Sequence, residues 1–486
     1  MDAFAVPGVA PLTVEGRHGP AKQPEMLSYV RCPEGHPPGP PHLFPGSRSP
    51  CPASGDEVPH DERTTMLAAT TLDTPLPRSE EGSLPYSHEL HWPDGLEPFK
   101  VVDDGSQENP YAHYTWMREN TPVLRCWSPV SDVYFISRYD DVRKAFRAPK
   151  IFSSEVVSPP PMTFLTLFDA PNHTRLRKVV ATAFTPKAIK LFEDRVRETA
   201  HKLLDGLLAK GGGEVVEDYA IQLSMATISA LLDVPAQDYE KMKFWSDETF
   251  SYFGRLARNA PGTGTDKDSA HDFWAYLKDT LERLYAEESP SMGGHIARMW
   301  KDEGILTEQE AKELCSFVFI AGHDTTTILL ANAFRIFAGQ PGLLGRIRET
   351  PADAAKFADE LARHSGAVHR ASRITTEAVE VAGVTIPAGS IVRLLNASAS
   401  RDLFDDGDTF DMDHDNSKSL GFGHGVHSCL GQPLAHLETT VTAEVLAQRL
   451  ASVTLDPAHP IEWVRGNNLT NAGPHRMHVF LEEHND

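Results

Sequence analysis

The sequence predicts a mainly α protein with small β-sheets, arranged as a single large domain. Apolar residues recur at the spacing of an α-helix over most of the chain. β-branched residues concentrate in a few short stretches, and strands do not alternate regularly with helices, which argues against a doubly wound sheet or a TIM barrel. A length of 486 residues suits one such domain, and no second low-complexity segment marks a boundary within it.

The N-terminal part of the chain differs in composition from the rest. Residues 1–82 are rich in Pro, Gly, Ser and charged residues, and no helix or strand period is sustained there. We predict a disordered extension over residues 1–82 and a folded domain over residues 83–486. Met66 offers an alternative start that would keep all of the periodic sequence.

Composition excludes several classes of protein. The chain has 46 basic and 68 acidic side chains, and its net charge of −22 disfavours nucleic acid as a partner. No stretch approaches the ~20 consecutive apolar residues of a membrane-spanning helix, and Asp2 stands where a signal peptide carries basic residues. The five cysteines include no Cys-x-x-Cys pair, which argues against a disulfide framework. We predict a cytoplasmic protein with no membrane anchor and no nucleic-acid partner.

Two stretches predict the small sheets. Residues 123–127 and 132–139 are rich in β-branched and aromatic residues and predict a strand pair, joined by turn residues at 128–129. A second β-branched stretch covers residues 378–392, with a turn predicted at Gly383.

One predicted helix is unusually long. Residues 308–338 would span roughly 45 Å at ~1.5 Å per residue. Thr307 and Glu310 form a capping-box pattern at its start, and Gly339 supplies a stop. Because this helix is apolar on most sides, we expect it to run through the interior. Its middle, residues 321–327, contains a glycine and a block of short polar residues, which weaken a buried helix and therefore indicate a site.

The strongest sign of chemistry lies in residues 421–438. Three alternating glycines precede Cys429, and glycine lets a backbone adopt positive φ and pass flat against a planar group. Pro433 and the apolar spacing after it predict a helix, so Cys429 lies at a helix N-terminus, where free amides and the helix dipole favour the thiolate. Cys429 is therefore a candidate metal ligand or nucleophile.

The residues alone leave the role of Cys429 open. A cysteine after a glycine-rich turn can be a small buried hydrophobic residue. A dinucleotide-binding loop would need the spacing GxGxxG and a preceding strand, and both are missing. A catalytic cysteine paired with His424 or His427 is the third possibility.

Residues 422–431, Phe-Gly-His-Gly-Val-His-Ser-Cys-Leu-Gly, resemble the heme-binding loop of the cytochrome P450 family of heme-thiolate monooxygenases. The family pattern FGxGxHxCxG is matched at every fixed position, and the resemblance to soluble, bacterial-type members extends from about residue 95 to the C-terminus. It implies the cytochrome P450 fold, heme b (iron protoporphyrin IX) as cofactor, and Cys429 as the thiolate ligand of the iron. Phe422, His427 and Gly431 are then cofactor-binding residues.

The middle of the long helix resembles the AGxDT motif of this family, which implies catalytic roles for Asp324 and Thr325 in relaying protons to dioxygen. We also expect the helix to open at Gly322 and leave a groove for dioxygen. The alternative is a buried polar kink, in which threonine hydroxyls bond to carbonyls four residues earlier.

Other motifs are identified through the same resemblance. Glu360 and Arg363 match the ExxR motif and are expected to form a structural pair. His173 and Arg177, one helical turn apart, and Arg373 are expected to bind the heme propionates, since two buried carboxylates need cationic partners.

The resemblance implies a monooxygenase that inserts one oxygen atom from O2 into a small apolar organic substrate. Electrons would come from a separate ferredoxin and its reductase, and Arg175 and Lys178 are candidates for a positive patch that binds this acidic carrier. The predicted substrate pocket combines the variable loop 151–168, the long helix and the stretch 366–371; its candidate residues are Val157, Phe164, Leu165, Ala321 and Val368.

Three alternative functions remain. A heme protein that binds a gas without turnover would need neither the Asp324–Thr325 pair nor an apolar lid. A peroxide-driven peroxygenase would not need proton relay to dioxygen. A hydrolase with Cys429 as nucleophile would be colourless.

Overall fold

A computed structural model of the chain describes residues 78–484 except 81, 102–109, 129–130, 159, 161, 257–263 and 465–469. Most of the predicted disordered extension, residues 1–77 and 81, lies outside the described residues, so that boundary stays a prediction. One hydrogen bond to the folded part begins a few residues before residue 83: the amide of Ser79 donates to Oε1 of Glu89 at 2.9 Å.

The described residues form fourteen α-helices. In chain order they are α1 (Tyr111–Asn120), α2 (Tyr139–Phe146), α3 (Asn172–Ala181), α4 (Pro186–Lys190), α5 (Glu193–Leu208), α6 (Gln222–Leu232), α7 (Tyr239–Leu256), α8 (Gly264–Ala286), α9 (Met292–Lys301), α10 (Glu308–Gly339), α11 (Gly342–Glu349), α12 (Asp353–Ser365), α13 (Asn396–Arg401) and α14 (Gln432–Arg449).

The same part of the chain contains twelve short strands. They are β1 (Val123–Cys126), β2 (Val133–Ile136), β3 (Phe152–Ser153), β4 (Gly212–Glu214), β5 (Ala371–Thr375), β6 (Val379–Val381), β7 (Val384–Ile386), β8 (Ile391–Leu394), β9 (Leu450–Leu455), β10 (Glu462–Trp463), β11 (Pro474–Arg476) and β12 (His478–Glu483). One sheet has five strands in the order β1-β2-β8-β5-β3, one has the order β4-β12-β9, and β6-β7 and β10-β11 are separate pairs. The prediction of a mainly α protein with small sheets is confirmed.

The predicted strand pairs are present. β1 and β2 pair antiparallel, with Leu124 opposite Phe135. β6 and β7 form a hairpin whose turn residues Ala382 and Gly383 have φ of 48° and 79°. Positive φ at both central residues is the requirement of a tight hairpin turn, which explains the glycine.

Helix α10 has the predicted ends and the predicted burial. Oγ1 of Thr307 accepts a hydrogen bond from the amide of Glu310 at 3.2 Å, and the Glu310 carboxylate accepts from the amide of Thr307 at 2.8 Å. Within the described part of the chain, α10 alone is long and apolar enough to cross a membrane, but 72% of its most apolar stretch is buried inside the protein. It is therefore a core helix, with apolar clusters on both sides of it.

The expected opening of this helix at Gly322 is wrong. α10 is continuous from Glu308 to Gly339. A Cβ on Gly322 would lie 2.5 Å from Cδ1 of Ile228 on α6, so the glycine instead permits close packing of two helices.

Candidate active site

The Cys429 loop, residues 421–431, is a tight turn that precedes α14. The amide of Cys429 donates to the carbonyl of Phe422 at 2.9 Å and closes the loop. Gly423 and Gly425 have φ of +70° and +75°, which residues with a Cβ rarely adopt. A Cβ on Gly425 would also lie 2.6 Å from the carbonyl oxygen of Phe146 on α2. The glycines therefore fix the conformation that presents the cysteine.

The Sγ atom of Cys429 faces the start of α14. Gly431 is the N-cap residue of this helix, and the amides of Gly431 and Gln432 donate to the sulfur. Burial raises the pKa of the thiol, while the two amides and the Arg177 guanidinium act in the opposite direction. Because a metal cation bound directly to sulfur deprotonates a thiol outright, the site is suited to a thiolate with a metal on it.

Two residues, Cys429 and Ala321, have accessible surface although they lie in the interior of the protein. Cys429 is exposed although burial dominates the shift of its pKa. Ala321 is exposed although it lies in the middle of α10, whose neighbouring residues are mostly buried. Both surfaces therefore face space inside the protein, as the residues on the two sides of a bound planar group would.

Two enclosed arginines near the loop make no ion pair with any carboxylate of the described residues. Nη2 of Arg177 donates to the carbonyl of Ser428 at 2.6 Å, and Nη1 of Arg373 donates to the carbonyl of Ser372 at 2.7 Å. Burial lowers the pKa of Arg373 to about 10, and only Asp169 acts against this. Buried cations of this kind need anions, which the two propionates of heme b would provide.

Two histidines lie in the same cluster. The rings of His173 and His427 are 4.0 Å apart, and Nε2 of His427 lies 3.0 Å from Oγ of Ser154. Burial, followed by the charges of His173, Arg373 and Arg177, lowers the pKa of His427 to about 3. Nε2 of His173 is buried and has no hydrogen-bond partner among the residues that the structure describes. The structure thus brings together four residues that were predicted to bind the cofactor, His173, Arg177, Arg373 and His427.

The residues fit heme b. Among the described residues, no group of three or more His, Cys, Asp or Glu side chains could hold a metal ion by itself. A thiol with two amide donors, beside arginines that form no ion pair with a described carboxylate, fits an iron porphyrin that carries two propionates. A mainly α protein with this arrangement is a heme-thiolate protein.

The comparisons with known proteins agree. The sequence model of the family Cytochrome P450 matches residues 355–460. The chain is 33% identical over 364 residues to the vitamin D(3) 25-hydroxylase of Pseudonocardia autotrophica, covering 71% of this chain and 88% of that protein. It is 32% identical to the mycinamicin IV hydroxylase/epoxidase of Micromonospora griseorubida, covering 73% and 92%. A solved structure of a mutant of P450 EryK in complex with erythromycin B matches with a TM-score of 0.67 and 29% identity, covering 77% and 97%.

The chain belongs to the cytochrome P450 family. It has the P450 fold, heme b is its cofactor, and it is a monooxygenase.

Asp324 and Thr325 lie on α10, two and three residues after Gly322. Oγ1 of Thr325 donates to the carbonyl of Ala321 at 2.8 Å, so the bond to a carbonyl four residues earlier is present, within a continuous helix. Asp324 accepts a hydrogen bond from Nδ2 of Asn471 at 2.8 Å. Burial raises the pKa of Asp324, while His323 and Asn471 oppose the shift.

Asn471 is a site residue that the sequence did not indicate. It lies before β11 and forms an isolated backbone bridge with Val368. Nothing in its neighbouring sequence distinguishes it. Its hydrogen bond to Asp324 joins two residues that are 147 positions apart in the chain. The bridge also brings Val368, a predicted pocket residue, close to the Asp324 side of the site.

Glu360 and Arg363 form the predicted buried pair on α12. Both side chains are inaccessible, and Arg363 donates to the two Glu360 oxygens at 2.7 and 2.6 Å. Arg363 also donates to the carbonyls of Gly407 and Thr409, and Glu360 accepts from the amide of Asp411. The pair therefore ties α12 to the segment that leads into the Cys429 loop.

The predicted pocket residues of loop 151–168 have different surroundings. The ring of Phe164 lies 5.1 Å from that of Phe317 on α10, so part of this loop packs against the long helix. Leu165 is buried in the apolar cluster that includes α3. Val157 is 47% exposed, and its place in the pocket stays a prediction.

Proposed function

We propose that this P450 inserts one oxygen atom from O2 into a small organic substrate with a mainly apolar surface. Electrons come from a separate ferredoxin and its reductase, and the protein acts in the cytoplasm. The pairing of Asp324 with Thr325 on α10 carries the proposal, since reductive use of dioxygen needs two protons. Heme b, when bound, supplies dioxygen binding and reductive activation at its iron. The free, buried thiols of Cys126 and Cys315 agree with a reducing compartment.

The two α10 side chains have complementary tasks in this proposal. Thr325 holds a proton at Oγ1, which the Ala321 carbonyl orients. Burial raises the pKa of Asp324 and so favours its protonated form more than in a free carboxyl group. Asn471 donates to Oδ2 and so leaves Oδ1 for the proton. Lys243 and Asp247 form an ion pair on α7 at 2.7 Å, and their charges act on the pKa of Asp324 in opposite directions.

The Thr325→Ala and Asp324→Asn variants are expected to keep heme and substrate binding while losing coupling between electron use and product. Without a positioned proton, the consumed electrons are diverted to hydrogen peroxide, and product formed per NAD(P)H should fall at least about 10-fold, within the range of general acid catalysis. Product, peroxide and NAD(P)H consumption measured together check this. Thr326→Ala, a buried threonine on the same helix, is the matched control and should remain coupled.

These variants also separate the alternatives. Parental coupling in Thr325→Ala would contradict the proton role. If hydrogen peroxide alone supports the same turnover in both variants and in the parent, the protein is a peroxygenase. If neither peroxide nor any electron donor supports turnover, it is a gas-binding protein.

An apolar substrate is supported by the aromatic contact of Phe164 with Phe317 and by the accessible Ala321 methyl group. The relatives are named for vitamin D(3) and mycinamicin, and the matched structure holds erythromycin B. All of these have extensive apolar surface, and we extend that property alone to this chain.

The surface next to the Cys429 loop supports an acidic electron carrier. Arg175 does not contribute as expected, because it pairs with Glu310 and donates to the carbonyl of Ile305. Instead α2 packs on the loop and carries Arg143 and Lys144, with Arg147 directly after its last residue, and the described residues supply no ion-pair partner for these three cations. Burial, followed by the charges of Arg143 and Arg147, lowers the pKa of His424 in the loop. With exposed Lys178, these three cations form a local positive surface on an acidic protein.

Arg147→Glu is expected to slow reduction by a ferredoxin about 3- to 10-fold at low ionic strength, because reversing one charge weakens electrostatic steering. Stopped-flow reduction at two salt concentrations measures this, and the difference should shrink as salt rises. The control variant Lys241→Glu on α7 reverses one charge in the same way, at a residue outside α2, α3 and the Cys429 loop. It should not change the rate of reduction. Equal rates for both variants would place the carrier elsewhere.

A further inference from the structure

Of the buried arginines that the structure describes, one has neither an ion-pair partner nor a place in the heme-propionate cluster. Four arginines are less than 9% exposed in the described chain: Arg363, Arg370, Arg373 and Arg401. Arg363 pairs with Glu360 and Arg401 with Asp408, at 2.6 and 2.9 Å. Arg373 belongs to the cluster that fits the heme propionates. The side chain of Arg370 makes no hydrogen bond or ion pair with any residue that the structure describes; its guanidinium lies over the Phe99 ring at 5.5 Å.

A second arginine without a partner lies beside it. Arg393 on β8 is partly accessible, yet its side chain too forms no hydrogen bond or ion pair within the described ranges. Burial lowers the pKa of Arg393 to about 10, and the charge of Arg370 acts in the same direction. Two like charges close to each other in a protein interior, with no counter-charge among the described residues, oppose folding unless an anion binds between them.

This pair is separate from the heme-propionate cluster. In the β5–β8 register, Arg393 stands opposite Ser372, whereas Arg373 stands opposite Val392. Since successive side chains alternate between the faces of a sheet, Arg393 and Arg373 lie on opposite faces.

The surroundings of the pair are aromatic. Arg393 stands opposite Phe135 of β2, and the Phe135 ring lies 5.1 Å from Phe99, the ring under Arg370. Tyr114 of α1 belongs to the same buried cluster. A ligand that reached both guanidinium groups would therefore also contact apolar rings, which suits an anion attached to an apolar body.

The pair is connected to the reaction site through one short backbone segment. Arg370 is two residues from Val368, whose backbone bridges to Asn471, and Asn471 donates to Asp324. Arg370 itself donates its backbone amide to the carbonyl of Thr470 at 3.3 Å. We propose that Arg370 and Arg393 bind the carboxylate of the substrate, which is therefore an organic acid with an apolar body. The inference rests on the proposed oxidation of an apolar substrate and names its chemical class.

The test compares acids with their neutral amides on the heme-loaded full chain. Calorimetric titrations use octanoate, dodecanoate and hexadecanoate, each paired with the amide of the same length. We expect at least one acid to bind about 10- to 100-fold more tightly than its amide, the value of charge-assisted hydrogen bonds to guanidinium. Arg393→Gln and Arg370→Gln should remove that preference and leave amide binding unchanged. Arg393→Lys should keep part of it, and Arg283→Gln, an exposed arginine on α8, should keep all of it.

A stability measurement guards against misfolded variants. Removing an uncompensated cation should leave the melting temperature of ligand-free Arg393→Gln equal to or above that of the parent, whereas loss of an arginine with only a structural role lowers it. A lowered melting temperature would count against the proposal. The comparison of acid and amide on the parent protein needs no variant.

Other outcomes overturn the inference. Equal binding of every acid and its amide, or binding of none of them, would contradict it. Inorganic phosphate that binds the parent but not the Arg370→Gln/Arg393→Gln double variant, without any preference for acids, would indicate a site for free anions. The absorption spectrum of the reduced, CO-treated sample is recorded in parallel. A normal spectrum together with equal binding of acids and amides would contradict this inference alone. Failure to oxidise any substrate would contradict the proposed function.

Discussion

Cys429→Ser is expected to abolish the red-shifted absorption band of the reduced, CO-treated protein and all monooxygenase activity. We expect the loop to keep its shape in this variant, because the sulfur takes no part in the interactions that fix it. These are the hydrogen bond from the Cys429 amide to the Phe422 carbonyl and the positive φ of Gly423 and Gly425. The loss therefore reports the ligand atom itself. A serine hydroxyl, even with the Gly431 and Gln432 amides directed at it, is far too weak an acid to provide an anionic, electron-donating ligand near neutral pH.

The matched control is Cys315→Ser. Cys315 is a free, buried cysteine on α10, so the change removes a thiol of the same kind without touching the Cys429 loop. Its spectrum should keep the full band. A band of parental position and intensity in Cys429→Ser would mean that another residue binds the iron, and a colourless parent protein would favour the hydrolase alternative.

The features predicted correctly from the sequence depend on residues close together in the chain. The ends of α10 follow from Thr307, Glu310 and Gly339, which act within one helical turn of each terminus. The Cys429 loop is likewise contiguous, so its glycines, its cysteine and the helix after it can be recognised together. The Glu360–Arg363 pair lies on one helical turn; its burial was implied by the family resemblance and not by the spacing, which is common on helix surfaces.

The features that were missed depend on contacts between distant parts of the chain. Gly322 was expected to open α10, but its contact is Ile228 on another helix. Arg175 was expected to be available for an electron carrier, but it forms an ion pair with Glu310, which is 135 residues away in the sequence. The absence of a partner for Arg370 and Arg393 among the described residues is also a property of the folded chain alone, since a sequence rich in acidic residues gives no reason to expect it. Local pattern therefore indicates which residues carry chemistry, and tertiary packing decides which of them are available.

Arg363→Met is expected to lower the free energy of unfolding by about 3–5 kcal/mol and to release heme at temperatures that the parent tolerates. The substitution removes the arginine from a fully buried carboxylate that otherwise contacts only the Asp411 amide, Asn416 and His414 among the described residues, and loss of a buried counter-charge costs about this much. It also leaves the carbonyls of Gly407 and Thr409 without their donor, which loosens the segment leading into the Cys429 loop. Denaturant unfolding followed by fluorescence, with heme absorbance recorded on the same samples, measures both effects.

Two comparison variants make the result specific. Arg346→Met removes an arginine that is 36% exposed and paired with Asp353 and Asp413 at 2.7 Å, and should cost no more than about 1 kcal/mol because water screens such pairs. Glu360→Leu combined with Arg363→Met removes both buried charges and should be more stable than Arg363→Met alone. If Arg363→Met unfolds no more easily than Arg346→Met, the buried pair is not what holds α12 to the loop. If the double variant is as unstable as the single one, the loss lies in the carbonyl contacts of Arg363 and not in an unpaired charge.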